Sequence, residues 1–237
     1  MKFGENDPST VGTMGNLANT LGSQGKYSDA ELLLKQCLDK MRVILGENHL
    51  NTLSTMNNLA AAYDNQGKYG DAEVLYKKCL DERKIVLGDN HPNTLGTMSN
   101  LAATYDRQGK YSYADDLYKQ CLDKMKLVLG ENHPDTLSTM SNLANTYDQQ
   151  GHHSTAEVLL KQCFDKKKVV LGENHPSTLR TMNNLADNYD IQDKHTDAEV
   201  LYKQCLDKRK VVLGENHPDT LNTMNSLAGV SKKSHAC

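Results

Sequence analysis

Leu53, Met56, Leu59, Ala60 and Tyr63 follow one another at spacings of three and four, with Ser54, Asn57, Asn58 and Asp64 between them. An apolar stripe at that spacing beside polar positions predicts one amphipathic helix. Gln66-Gly67-Lys68 closes the run, and a glycine just past the last periodic residue is a helix stop. A second stripe follows in Ala72, Leu75, Tyr76, Cys79, Leu80, Val86 and Leu87, and ends at Gly88. Asp89-Asn90-His91 then leads to Pro92, where the first stripe begins again. Proline at the first helical position gives up no hydrogen bond, so the residue before it is the cap. That residue is Asp7 in the first unit and His49, His91, His133, His175 and His217 afterwards. A neutral imidazole nitrogen can accept from a free helical N–H as a capping aspartate does. In the second unit Leu50 takes the proline's place.

The pair of stripes returns every forty-two residues: Gly25-Lys26-Tyr27 comes back as Gly67-Lys68-Tyr69 and Gly109-Lys110-Tyr111. A fixed period of this length marks a solenoid, in which each unit buries its apolar face on the next. Units run about 8–49, 50–91, 92–133, 134–175 and 176–217, with a partial unit at 218–230 and a polar tail at 231–237. Residues 3–7 match the end of a unit, so the chain begins in mid-repeat. No alternation predicts a strand. The expected fold is all-α, a right-handed superhelical solenoid of about eleven helices, with residues 1–237 as a single array. The fourth and fifth units depart from the pattern. His152-His153 replaces Lys-Tyr, and Asp193-Lys194-His195 replaces Gly-Lys-Tyr, which puts an aspartate where φ > 0 is expected.

Composition narrows the function classes. Lys and Arg number 27 against 30 Asp and Glu, a net charge of −3, which draws the chain neither to nucleic acid nor to an anionic membrane. No apolar run is long enough to span a bilayer, and Met1-Lys2-Phe3-Gly4-Glu5 is too short and polar for a signal peptide, so a cytoplasmic location is expected. Cys37, Cys79, Cys121, Cys163 and Cys205 keep the forty-two-residue period, which reads as a packing position and not a disulfide framework. Cys237 lies apart in the tail. The loop histidines recur one per unit, too far apart to converge on a metal, and His152-His153 has no further ligand at metal spacing. Gly25-Lys26 fails the phosphate-loop pattern, and neither Gly-x-Ser-x-Gly nor His-Glu-x-x-His occurs. The expectation is no cofactor, no metal and no enzymatic activity. Asn16, Asn58, Asn100, Asn142 and Asn184 sit just before the core leucine and are expected to bond across to a neighbouring helix.

Leu59-Ala60, Tyr63, Gly67, Tyr69, Ala72 and Tyr76, repeated as Leu101-Ala102, Tyr105, Gly109, Tyr111, Ala114 and Tyr118, resemble the tetratricopeptide repeat. The forty-two-residue form, with Leu-Gly-x-x-His-Pro and Asn-Asn-Leu-Ala, is similar to the repeats of kinesin light chains and of sensor regions in large signalling NTPases. The resemblance covers residues 3–230. It implies a protein-binding scaffold whose concave groove, lined by each first helix, takes an extended peptide. The positions it implies are Ser54, Asn57, Ala61, Asp64 and Asn65; Gly96, Ser99, Ala103, Asp106 and Arg107; Ser138, Ser141, Asn145, Asp148 and Gln149; and Arg180, Asn183, Asp187, Asp190 and Ile191. Their spacing independently puts them on one stripe beside the core. The ladder Asp64, Asp106, Asp148, Asp190 suggests negative potential suited to a basic or neutral segment, with Arg107 and Arg180 as the basic contacts. By resemblance alone the partner is a cargo protein or a kinesin heavy chain. The other reading is a structural or self-associating piece of a larger chain, with weak end-to-end association through uncovered repeat ends.

Overall fold

The computed structural model describes residues 7–234. It contains α1 (Pro8–Ser23), α2 (Tyr27–Leu45), α3 (Leu50–Asn65), α4 (Tyr69–Leu87), α5 (Pro92–Arg107), α6 (Tyr111–Val128), α7 (Pro134–Gln149), α8 (His153–Leu171), α9 (Pro176–Ile191), α10 (His195–Leu213) and α11 (Pro218–Ser234). No strand occurs among the described residues. The chain divides into two compact units, residues 1–117 and 118–237, with the boundary inside α6. The expected mid-repeat start at residues 3–6 and the lone Cys237 lie outside the described residues.

The helix boundaries follow from the capping chemistry. Asp7 accepts from the Ser9 N–H at 2.9 Å, and the Nδ1 atoms of His49, His91, His133, His175 and His217 accept from the N–H two residues on at 3.1–3.2 Å. Histidine thus does the work of an N-cap aspartate. The Thr52, Thr136, Thr178 and Thr220 hydroxyls, six residues after the glycine that ends the preceding helix, each donate to that glycine's carbonyl at 2.8–2.9 Å. One buried threonine therefore fastens each of these loops to the next helix.

In the first unit α1 packs on α2, α2 on α3, α3 on α4 and α4 on α5. The first helices of the pairs also touch, α1 with α3 and α3 with α5, whereas α2 and α4 do not meet. The second unit repeats the arrangement: α9 touches both α7 and α11, and α8 does not meet α10. Within each unit the first helices converge and the second helices splay apart. Leu53, Met56, Leu59 and Ala60 of α3 and Ala72, Tyr76, Cys79 and Leu80 of α4 are buried, as the stripes require. The periodic cysteines are buried thiols. Cys37, Cys79, Cys163 and Cys205 donate to the carbonyls of Val11, Leu53, Leu137 and Leu179 at 3.0–3.3 Å, and burial raises the pKa of each of these four thiols. They are inert packing groups.

One boundary differs from the sequence reading. α11 continues through Ser234, past the expected start of the tail at Ser231. Ser231 Oγ donates to Glu199 at 3.2 Å, and Lys233 Nζ reaches both carboxylate oxygens of Asp190 at 2.9 Å. These side chains tie an otherwise polar helical turn to α10 and α9.

Candidate functional site

The first helices carry the positions that the sequence singles out, and their surroundings differ from one to the next. In the first unit, Asn57 Oδ1 accepts from Thr97 Oγ1 of α5 at 3.2 Å. Ser99 and Asp106 are half-buried on the same stripe of α5. Asp64 is only 7 % exposed and is paired with Arg107. In the second unit, Asn145 Oδ1 accepts from Asn184 at 3.0 Å, and Asp148 receives His153 Nδ1 at 3.1 Å and Asn188 Nδ2 at 2.6 Å. Asn183 bridges helices: its Nδ2 donates to Asp187 at 2.9 Å and its Oδ1 accepts from Thr223 at 2.9 Å. Asp187 also accepts from the Tyr202 hydroxyl, and burial raises its pKa. Asp190 holds His195 at 3.0 Å and Lys233 at 2.9 Å, and Arg180 is exposed.

These contacts correct the acidic-ladder expectation. Asp64 and Asp190 are met by the residue forty-three positions on, Arg107 and Lys233, which the repeat delivers to the adjacent first helix of the same unit. At Asp148 the corresponding residue is the exposed Ile191, and His153 takes the role from within the unit. These three aspartates are links between helices and do not form an open negative surface. Arg107 is accordingly spent on Asp64. Ser141 is also not a surface contact: it is 1 % exposed, with its Oγ 3.4 Å from Thr181 Oγ1. Of the recurring asparagines, Asn58 and Asn184 do bond across, to Asn19 and Asn145 at 3.0 Å each.

The sequence reading missed three cations. Arg83, Lys167 and Arg209 stand four residues after a core cysteine, where the first and third units have Met41 and Met125. They are 6 %, 0 % and 4 % exposed. Arg83 donates to the Asn93 carbonyl at 2.8 Å, Thr97 Oγ1 at 2.7 Å and Ser54 Oγ at 3.3 Å. Arg209 donates to the Asp219 carbonyl at 2.7 Å, Thr223 Oγ1 at 2.6 Å and Asn183 Oδ1 at 3.4 Å, while its Nε has no partner. Lys167 Nζ donates to Thr181 Oγ1 at 2.9 Å. Burial, abetted by nearby Arg180, pushes Lys167 down to about 8. None of the three makes an ion pair with a carboxylate among the described residues. Buried cations without a paired carboxylate are costly; Arg209 is the best placed of the three, with the Asp187 carboxylate near it, and all three lie beneath the stripe that the sequence singles out. The visible signal was a basic residue at an apolar register position.

Helix pairs of this geometry, repeated at one period, define a helical-repeat scaffold. Tetratricopeptide-repeat family models match residues 9–84, 65–127, 136–177 and 178–219, and the chain belongs to that family. Among solved structures it is similar to the nearly identical TPR-like repeats of a Podosopora anserina kinesin light chain candidate. Two crystal structures of those repeats share 24 % and 26 % identity, with TM-scores of 0.70 and 0.68; the matches span 90 % and 86 % of this chain and 99 % and 96 % of those. BtubC (BKLC) from P. vanneervenii matches at 22 % identity and TM-score 0.68, over 89 % of this chain and 82 % of that one. No curated protein has a matching sequence. Among the described residues no helix is long and apolar enough to cross a membrane, and no cluster of side chains is arranged to hold a metal ion.

Proposed function

We propose that the chain is a non-catalytic scaffold that binds an extended, carboxylate-bearing peptide of another protein along its first-helix faces. Tetratricopeptide arrays bind protein partners, and the structural relatives include kinesin-light-chain-type repeats. The observation that carries the charge preference is the pair of buried cations Arg83 and Lys167, without a carboxylate partner, beneath Ser54 and Arg180; Arg209, beneath Asn183, already has the Asp187 carboxylate near it. An arriving carboxylate relieves an uncompensated charge already desolvated by the fold. Asn57 and Asn183 supply amide groups to the peptide backbone. A cargo-adaptor role in the cytoplasm, as the kinesin light chain resemblance implies, belongs to the same proposal.

The test is a random-peptide display selection, followed by titration of the winners against Arg83→Met, Lys167→Met and Arg209→Met together. Methionine already fills this register at Met41 and Met125, so the fold tolerates it. Acidic winners that lose about tenfold or more in affinity to the triple variant support the proposal. Basic winners, or unchanged affinity, overturn it. Asn57→Ala with Asn183→Ala separately reports the backbone contacts, by weaker binding at unchanged helicity.

A further inference from the structure

In the second unit the carboxylate of Asp187 sits in a set of donors drawn from three helices. Asn183 Nδ2 donates to one of its oxygens at 2.9 Å and the Tyr202 hydroxyl donates to the other. Burial works against its charge, and these two donors together with nearby Arg209 oppose that penalty. A relay joins the guanidinium to the same asparagine: Arg209 Nη1 donates to Thr223 Oγ1 at 2.6 Å, and Thr223 Oγ1 donates to Asn183 Oδ1 at 2.9 Å.

Three repeats earlier, in the first unit, the same set is built around an alanine. Asn57, Tyr76, Arg83 and Thr97 hold the registers of Asn183, Tyr202, Arg209 and Thr223, and Ala61 holds that of Asp187. The relay is reproduced, with Arg83 Nη1 to Thr97 Oγ1 at 2.7 Å and Thr97 Oγ1 to Asn57 Oδ1 at 3.2 Å. Arg83 also donates to the Asn93 carbonyl at 2.8 Å, as Arg209 does to that of Asp219 at 2.7 Å. The two donors that serve Asp187 have nothing to serve here. Tyr76 is only 2 % exposed, and among the described residues neither its hydroxyl nor Asn57 Nδ2 has a hydrogen-bond partner. A buried hydroxyl left unpaired is costly, and burial raises its pKa, so it remains a donor at neutral pH.

The approach is open, because Ala61 and, on the adjacent first helix α5, Ala103 are short and only half-buried. The acidic neighbour is the same in both copies and is matched in both: Asp64, one turn beyond Ala61, has Arg107, and Asp190, one turn beyond Asp187, has Lys233. It bars a carboxylate at Ala61 no more than it bars Asp187. The other pairs lack the set. The third has Met125 in the register of Arg83, and the fourth has Leu160 in that of Tyr76.

We propose that the first unit binds a carboxylate of the partner peptide above Ala61, in the position that the Asp187 side chain takes in the second. The Tyr76 hydroxyl and one N–H of Asn57 donate to its two oxygens, and Arg83 supplies the opposite charge. The inference rests on the scaffold reading above and fixes where its carboxylate lies. Asp187 is then a built-in copy of the ligand, and it keeps the Arg209 set from taking a second one.

The probe is acetate, titrated against chloride at constant ionic strength into the full chain, with the side-chain amide resonances of Asn57 and Asn183 followed by NMR. The expected result is a saturable shift at Asn57 and none at Asn183. Ala61→Asp should abolish the Asn57 response, and Asp187→Ala should add a saturable response at Asn183. Tyr76→Phe keeps the buried ring and should weaken acetate binding about threefold or more, which reads the hydroxyl even if the Ala61 variant folds poorly. An Asn57 amide that ignores acetate overturns the proposal, as does a response that neither Ala61→Asp nor Tyr76→Phe diminishes. Acidic display winners should lose about tenfold or more in affinity to Ala61→Asp. Winners remade with an amidated C-terminus, or with each Asp and Glu as its amide, identify whether a terminal or a side-chain carboxylate enters; affinity that survives both overturns the proposal. Winners weakened by Arg83→Met but not by Ala61→Asp overturn this placement alone, whereas basic winners overturn the scaffold's preference for acidic peptides and leave the acetate titration to decide the site.

Discussion

Asp193 shows how far one residue can be held by its surroundings. Gly25, Gly67, Gly109 and Gly151 close the first helices of the earlier pairs at φ of 73–82°, and Asp193 closes α9 at φ 60°. Its backbone keeps the glycine's bonding: Asp193 N–H donates to Asp190 at 3.1 Å and Lys194 N–H to Tyr189 at 2.9 Å, as Gly67 and Lys68 do to Asp64 and Tyr63. An L-residue in this region is strained, though aspartate tolerates it better than most. Asp193→Gly should therefore raise stability by about 0.5–1 kcal/mol, read as a higher urea midpoint at unchanged m-value. His195 Nε2 lies 3.6 Å from the well-exposed Asp193 carboxylate, a contact too weak to reverse the sign.

Between elements, the recurring device is a glutamate clamp. Glu31 of α2 receives Lys35 at 2.7 Å from its own helix, and Lys68 at 2.7 Å and Gln66 at 2.8 Å from the turn of the next pair. Glu73 receives Lys77 at 2.6 Å and Lys110 at 2.9 Å; Glu157 receives Lys161 at 2.6 Å, Lys194 at 2.6 Å and Gln192 at 3.0 Å. The same lysines flank Tyr63, Tyr105 and Tyr189, with ring centroids 5.4–5.7 Å away. The lysine bonds bring Glu31 and Glu73 from 4.5 to about 2, and at Glu157 they do so against the burial that would raise it. A carboxyl with a depressed folded pKa stabilises fully above its unfolded value. That contribution falls away as pH drops from about 4.5 towards about 2, because the unfolded chain takes up its proton first. Glu73→Gln should cost about 1 kcal/mol at neutral pH and flatten the loss of stability across that acid window, measured by urea denaturation at several pH values.

Each unit is a stack in which a helix meets only its near neighbours, so stability is local and an outer helix can open alone. The α11 helix depends on Lys233 and Ser231 for its last turn. Lys233→Ala should speed amide hydrogen exchange in the last turns of α11 about two- to fivefold while leaving α8 unchanged. The sequence alone determined the eleven helices among the described residues, the histidine caps of α3, α5, α7, α9 and α11, the buried cysteine register and the strained turn at Asp193. Each of these follows from neighbours along the chain and from a period that fixes which face is buried. Tertiary structure alone decided the charges. Whether Asp64 and Asp190 face solvent depends on Arg107 and Lys233 arriving from the next first helix, and a carboxylate's field is set by what stands a few ångströms away in space. Arg83, Lys167 and Arg209 were invisible as buried cations for the same reason: a basic residue on a helix reads as solvated until packing closes over it.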